Sequence, residues 1–169
     1  MQFPPEAPLI KMQTNKEIEK QYNELKKKFK LPEFKEIDFE LEISDFEETN
    51  FLLRAIIRRI CEKIDFYCAM LEEILQPDTS KLYAMHETRV FDENEKKQMY
   101  ELYSKLMILS RKAIELSLEH NERDDADFIN NFFDEWKSLK SELLNIVKKI
   151  KVSWKTEEAG TKDDLGYLG

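Results

Sequence analysis

Residues 53–75, LRAIIRRICEKIDFYCAMLEEIL, decide the fold class. Leu53, Ile57, Ile60, Ile64, Tyr67, Leu71 and Ile74 alternate steps of four and three over three heptads. That is the period at which one side of an α-helix keeps returning to the same neighbour. Ile56, Met70, Cys61 and Cys68 flank this seam and widen it into the face of a helix that meets more than one partner. Ser44 and Glu47, in capping-box spacing, mark the expected start of this helix, and Leu75, just before Pro77, its expected end.

The same reading extends in both directions. Asp92 and Glu95 suit a helix start, and Met99, Leu102, Leu106, Leu109, Ala113 and Leu116 carry a second seam as far as about His120. A polar turn at 121–124 leads to a further helix with Ile129, Phe132, Trp136, Leu139, Leu143, Ile146 and Ile150 on one side. Upstream, Thr14 with Glu17 is a candidate cap for a shorter N-terminal helix carrying Ile18, Tyr22, Leu25 and Phe29, which Pro32 ends. Between them, residues 36–43 alternate acidic and apolar with a period of two. No second strand pattern exists to pair with them, so they predict an extended acidic strap held by Ile37, Phe39, Leu41 and Ile43. The stretch 76–91 is a long connection that can hold one turn of helix near Leu82, Tyr83 and Met85.

Proline and glycine agree with this plan. All three glycines lie at or beyond position 160, and only Pro32 and Pro77 interrupt the chain after Pro8. The expected fold is therefore all-α: an elongated antiparallel helical bundle of three long helices plus a shorter N-terminal helix and an extended acidic strap. One helical bundle domain is expected at 14–156, between a flexible segment at 1–13 and a flexible tail at 157–169. With 41% hydrophobic residues, a single core needs no metal or disulfide to fold. Cys61 and Cys68 are seven residues apart in one helix, about 10 Å, too far for a disulfide, and read as reduced small hydrophobes. No apolar run has the length of a membrane span, and the opening MQFPPEAPLIKM lacks the plan of a secretory signal, so the expected location is cytoplasmic with no membrane partner.

Sites of chemistry are scarce in the sequence. His86 and His120 each adjoin a glutamate instead of following one by three positions, which is not the ligand spacing of a di-metal bundle site. The absence of glycine from the body excludes a glycine-rich phosphate loop. No catalytic, metal or cofactor residue is assigned, and no cofactor is expected. His120 reads as a residue of a helix C-terminus. His86, near Glu87 and Arg89, is the one crowded polar loop position where a small enzyme site could lie. Arg54 and Arg58 are one turn apart, with Arg58 spaced to pair with Glu62.

Charge is more informative. The net charge of −8 disfavours nonspecific binding to a phosphate backbone. Residues 36–50 hold seven acids and no base, whereas 137–156 hold six lysines against Glu142. Lys148, Lys149, Lys151 and Lys155 with Trp154 form a cationic helix end with an aromatic platform, and Leu165, Tyr167 and Leu168 give the tail an apolar tip. The favoured function is a non-catalytic interaction or scaffold protein with a C-terminal recognition tail and a protein partner. The alternatives are a nucleic-acid-associated factor using the lysine-rich helix end, and a small enzyme at the His86 loop. The wide seams are equally compatible with a homodimer.

Overall fold

The computed structural model describes the backbone of residues 7–164 and the side chains of residues 16–156. It is all-α among those residues: α1 (Ala7–Phe29), α2 (Phe34–Leu41), a 3-10 turn (Ile43–Asp45), α3 (Leu52–Leu75), α4 (Leu82–Arg89), α5 (Glu93–Leu118) and α6 (Glu122–Asp164). The chain divides into two compact units. The first comprises residues 1–63 and 109–134, the second residues 64–108 and 135–169, so α3, α5 and α6 each supply a segment to both.

In the first unit, α1 touches α2 and the 3-10 turn. Ile18 and Tyr22 of α1, Ile37 and Leu41 of α2, Ile43 of the turn, Ile56 and Ile60 of α3 and Phe132 of α6 are all sealed from solvent. Tyr22 Oη donates to the Pro32 carbonyl at 2.9 Å, and its ring meets Phe34 edge-on at 5.6 Å. The residue that breaks α1 is thereby fastened to the helix it ends. Asn130 Nδ2 donates to the Phe29 carbonyl, one of the acceptors left over at that helix end.

The expected strap is corrected: residues 34–41 are helix, not extended chain. A lone extended segment would leave its amides unpaired, whereas a helix satisfies them internally. The same acidic–apolar alternation also places Ile37 and Leu41 four apart, on one helical face with Phe34. The residue that fits only the extended reading is Phe39, and it is 79% exposed. Glu33 and Glu36 form the cap: the Glu33 amide donates to Glu36 Oε2 at 3.3 Å. A second correction follows. Ser44 and Glu47 do not open α3; Ser44 lies in the 3-10 turn with its amide donating to Asp38 Oδ1, and α3 begins at Leu52.

With no glycine available, two helix ends use other residues in the left-handed region. Lys30, after α1, has φ 54°, and Glu42, after α2, has φ 52°. Each closes its helix with a backbone bond four residues back, Lys30 N–H to Lys26 O and Glu42 N–H to Asp38 O, both 2.8 Å.

In the second unit, Ile64, Leu71 and Ile74 of α3, Met99, Leu102 and Leu106 of α5, and Trp136, Leu139 and Leu143 of α6 are buried. These are the seam positions expected from spacing. The Asp92–Glu95 cap is present in both directions: the Asp92 amide donates to Glu95 Oε2 at 2.9 Å and the Glu95 amide to Asp92 Oδ1 at 2.8 Å. The boundaries expected at 13 and 157 fall inside α1 and α6. Thr14 is therefore interior to α1 and not its cap. Leu165, Tyr167 and Leu168 lie outside the described residues.

Candidate functional site

The two polar regions that stand far apart in the sequence, the His86 stretch and the lysine-rich helix end, meet in the second unit. The connection after α3 folds into α4, two turns where one was expected. Thr88 Oγ1 donates to the Ile74 carbonyl at 2.7 Å, occupying one of the acceptors left at the end of α3. Glu73 of α3 receives both Lys81 Nζ at 3.1 Å and Tyr83 Oη at 2.6 Å. Those bonds, Tyr83 first, hold the Glu73 carboxyl below the usual carboxylate range.

α4 also ties to α6. His86 Nε2 lies 3.0 Å from Ser153 Oγ, the His86 and Trp154 ring centroids are 4.1 Å apart, and Trp154 Nε1 donates to Glu87 Oε1 at 3.0 Å. The Ser153 hydroxyl gives its one proton to the Ile150 carbonyl at 2.7 Å. It therefore accepts from His86 Nε2–H, which makes the imidazole a donor there and not a base toward that hydroxyl. This contact is built as a tie between two helices.

The geometry also sorts the expected cationic end. Lys149 points to α5: its ammonium pairs with Glu95 and sits 5.1 Å over the Phe91 ring. The Lys149 bond, with that from the Asp92 amide, lowers the Glu95 carboxyl. Trp154 has His86 against its ring. Lys148, Lys151 and Lys155 instead point outward and are exposed. Steps of three and four extend this face back to Leu144, Lys140 and Lys137, with Val147 and Val152 at its sides. Leu144, Val147 and Val152 are 49%, 40% and 58% exposed. From Lys137 to Lys155 the stripe runs about 27 Å, with no acid on it. Reading the lysines as one end cluster missed this stripe, because seven residues without a lysine separate Lys140 from Lys148; a helical wheel over 137–155 reveals it.

In the first unit, the expected Arg58–Glu62 pair is corrected: Glu62 pairs with Arg59, Nη1 to Oε2 at 3.4 Å. The guanidinium of Arg54 sits 4.8 Å over the Phe51 ring. Arg54 and Arg58 border a cleft of 250 Å³ that His120 and Asp125 also line. Burial raises the Asp125 carboxyl, against the opposing pull of Arg54 and His120. Sequence reading counted Asp125 as one of seven acids in 119–135, and nothing in its local spacing distinguishes it from Asp124 or Asp127. Neither cysteine is in a disulfide; Cys68 is buried and Cys61 half-buried. Among the described residues no group of three or more His, Cys, Asp or Glu side chains could hold a metal ion, and no helix is long and apolar enough to cross a membrane.

No family model, curated protein or solved structure matches the chain.

Proposed function

We propose that this protein is a non-catalytic interaction module in which the outer face of α6, from Lys137 to Lys155, receives an acidic amphipathic segment of a partner protein. The observation that carries the reading is the stripe itself. Five exposed lysines share one helix face with three exposed aliphatic side chains and no carboxylate. Aliphatic groups set among cations match a partner helix that alternates acidic and apolar residues, by charge complementarity and burial together. The whole chain is acidic, so a long polyanion meets net repulsion away from the stripe, whereas a short acidic segment meets only the stripe. Trp154 lies against His86 and donates to Glu87, which leaves the stripe aliphatic instead of aromatic. Stacking surfaces are what single-stranded nucleic acids use. The C-terminal residues Leu165, Tyr167 and Leu168 extend the proposed recognition region beyond the stripe.

The test captures partners from the native cell with the full chain, with Lys148→Glu/Lys151→Glu/Lys155→Glu, and with a chain ending at Thr156. Each captured protein is then purified and titrated directly at two salt concentrations. The expected result is a partner whose affinity collapses on charge reversal, falls with salt and weakens in the shortened chain. Identical affinities for all three chains would sink the proposal. A duplex or single strand that shifts at low salt and is released steeply as salt rises would assign the stripe to nucleic acid instead.

A further inference from the structure

A second exposed face of the chain has the inverse chemistry of the stripe on α6. On α2, Phe39 is 79% exposed, while Ile37 and Leu41 beside it are buried. Glu36 and Glu42 stand three positions before and after Phe39, and both are exposed. Asp45, Glu47 and Glu48, also exposed, continue the acidic side through and past the 3-10 turn, and residues 36–50 contain no base. A single exposed apolar side chain is ordinary on a helix. What distinguishes Phe39 is its counterpart on the stripe. Val152 is 58% exposed, and Lys148 and Lys155 stand four positions before and three after it. The two acids are six residues apart and the two lysines seven, about 9 Å and about 10 Å along a helix. A ring laid on Val152 therefore brings each flanking carboxylate to an ammonium. The stretch from Val147 to Lys155 is about 12 Å long, which is also the length of the eight-residue α2.

We infer that the acidic amphipathic segment received by the stripe is α2 of a second copy of this chain, so that the protein self-associates head to tail. This rests on the reading of the stripe given above. Every copy presents both halves of the contact, and the contact is heterologous, acid and ring of one copy against lysines and valine of the next. Salt sets the conditions under which it forms. Two copies at −8 repel each other at long range. At about 0.1 M salt the screening length is about 10 Å, which removes most of that repulsion and leaves charges in direct contact attracting; at about 1 M it is about 3 Å, and the pairs themselves fade. One short helix on part of a stripe is a small interface, so the association is weak and concentration-dependent.

The experiment is sedimentation equilibrium of the full chain over a wide range of concentration, at about 0.1 M and about 1 M salt. The expected result is a mass that rises with concentration at the lower salt and association at least about tenfold weaker at the higher. Lys148→Glu/Lys151→Glu/Lys155→Glu, Glu42→Lys/Glu47→Lys/Glu48→Lys and Phe39→Ser each alter only exposed residues, and each should weaken association at least about tenfold with the urea midpoint little changed. Mixing the two charge-reversed chains should restore association, because the intact patch of one meets the intact stripe of the other. Three reversals move the net charge of −8 by six units either way, so both chains remain negative and overall attraction cannot explain the rescue. A parent chain that stays monomeric at the lower salt overturns the inference, as does association that survives both reversals or a mixture that stays monomeric. If the parent is monomeric but a captured partner is still lost on reversing the lysines, this inference fails and the proposed function stands; if reversing the lysines changes neither self-association nor partner capture, both fail.

Discussion

Replacing Lys30 and Glu42 by glycine should stabilise this protein. Both residues hold the left-handed region, at φ 54° and 52°, to end α1 and α2. A residue with a Cβ spends about 1–2 kcal/mol there. Glycine removes that cost but gives the unfolded chain extra freedom, worth about 0.5–1 kcal/mol in the opposite direction. The net gain is about 0.5–1 kcal/mol at each site. Lys30 is exposed, and its place in the fold is its backbone bond to Lys26 O, which glycine can make equally well. Lys30→Ala is the matched control, since it deletes the same side chain and keeps the Cβ, and it should gain nothing. Lys27→Gly, inside α1, should lose about 1 kcal/mol. Urea unfolding followed by circular dichroism at constant m reads each difference. If Lys30→Gly is no more stable than Lys30→Ala, the left-handed cap of α1 does not exist in solution, and the account of how this glycine-free body turns its corners is wrong.

Other consequences are equally direct. Tyr22→Phe keeps the buried ring but orphans the Pro32 carbonyl, and should cost about 1–2 kcal/mol; a urea midpoint unchanged from the parent chain would refute the bond. Burial raises the Asp125 carboxyl, so the folded state holds its proton to higher pH than the unfolded state, whose carboxyl titrates near about 4. Stability from this group is therefore lost as pH rises from about 4 through the raised folded value, then levels off. Asp125→Asn should remove that decline, and a gap between the two proteins that widens in the opposite sense on a urea–pH series would contradict it. On α2, Phe39→Asp should change stability by less than about 0.5 kcal/mol, whereas Ile37→Asp should prevent folding or cost several kcal/mol; comparable losses at both positions would restore the extended strap. Asp92→Ala removes one half of a reciprocal cap on α5 and should cost about 1 kcal/mol by thermal or urea unfolding.

The residues that the sequence read correctly are those whose neighbours are close along the chain. The seams of α3, α5 and α6 and the cap at Asp92 and Glu95 depend on three- and four-residue spacings, which a helix converts into one face whatever else the chain does. Residues 34–41 were misread because their alternation satisfies two periods at once, and what selects the helix is the lack of any strand to bond with. Ser44 and Glu47 have the right spacing for a cap that the chain does not use, because Glu42 has already turned it into the 3-10 segment.

Composition and helical periodicity by themselves therefore determined an all-α protein, its long helices, the absence of glycine-built phosphate loops and the concentration of lysines in α6. Tertiary structure alone decided which charges are left exposed and which are spent. It turned Lys149 to Glu95 and Trp154 to His86, and singled out Asp125 from its acidic neighbours by burying it. The physical reason is range. Helix formation and its faces follow from contacts within one or two turns, whereas the solvation and pairing of a charge depend on groups tens of residues away, and a one-dimensional spacing carries no record of them.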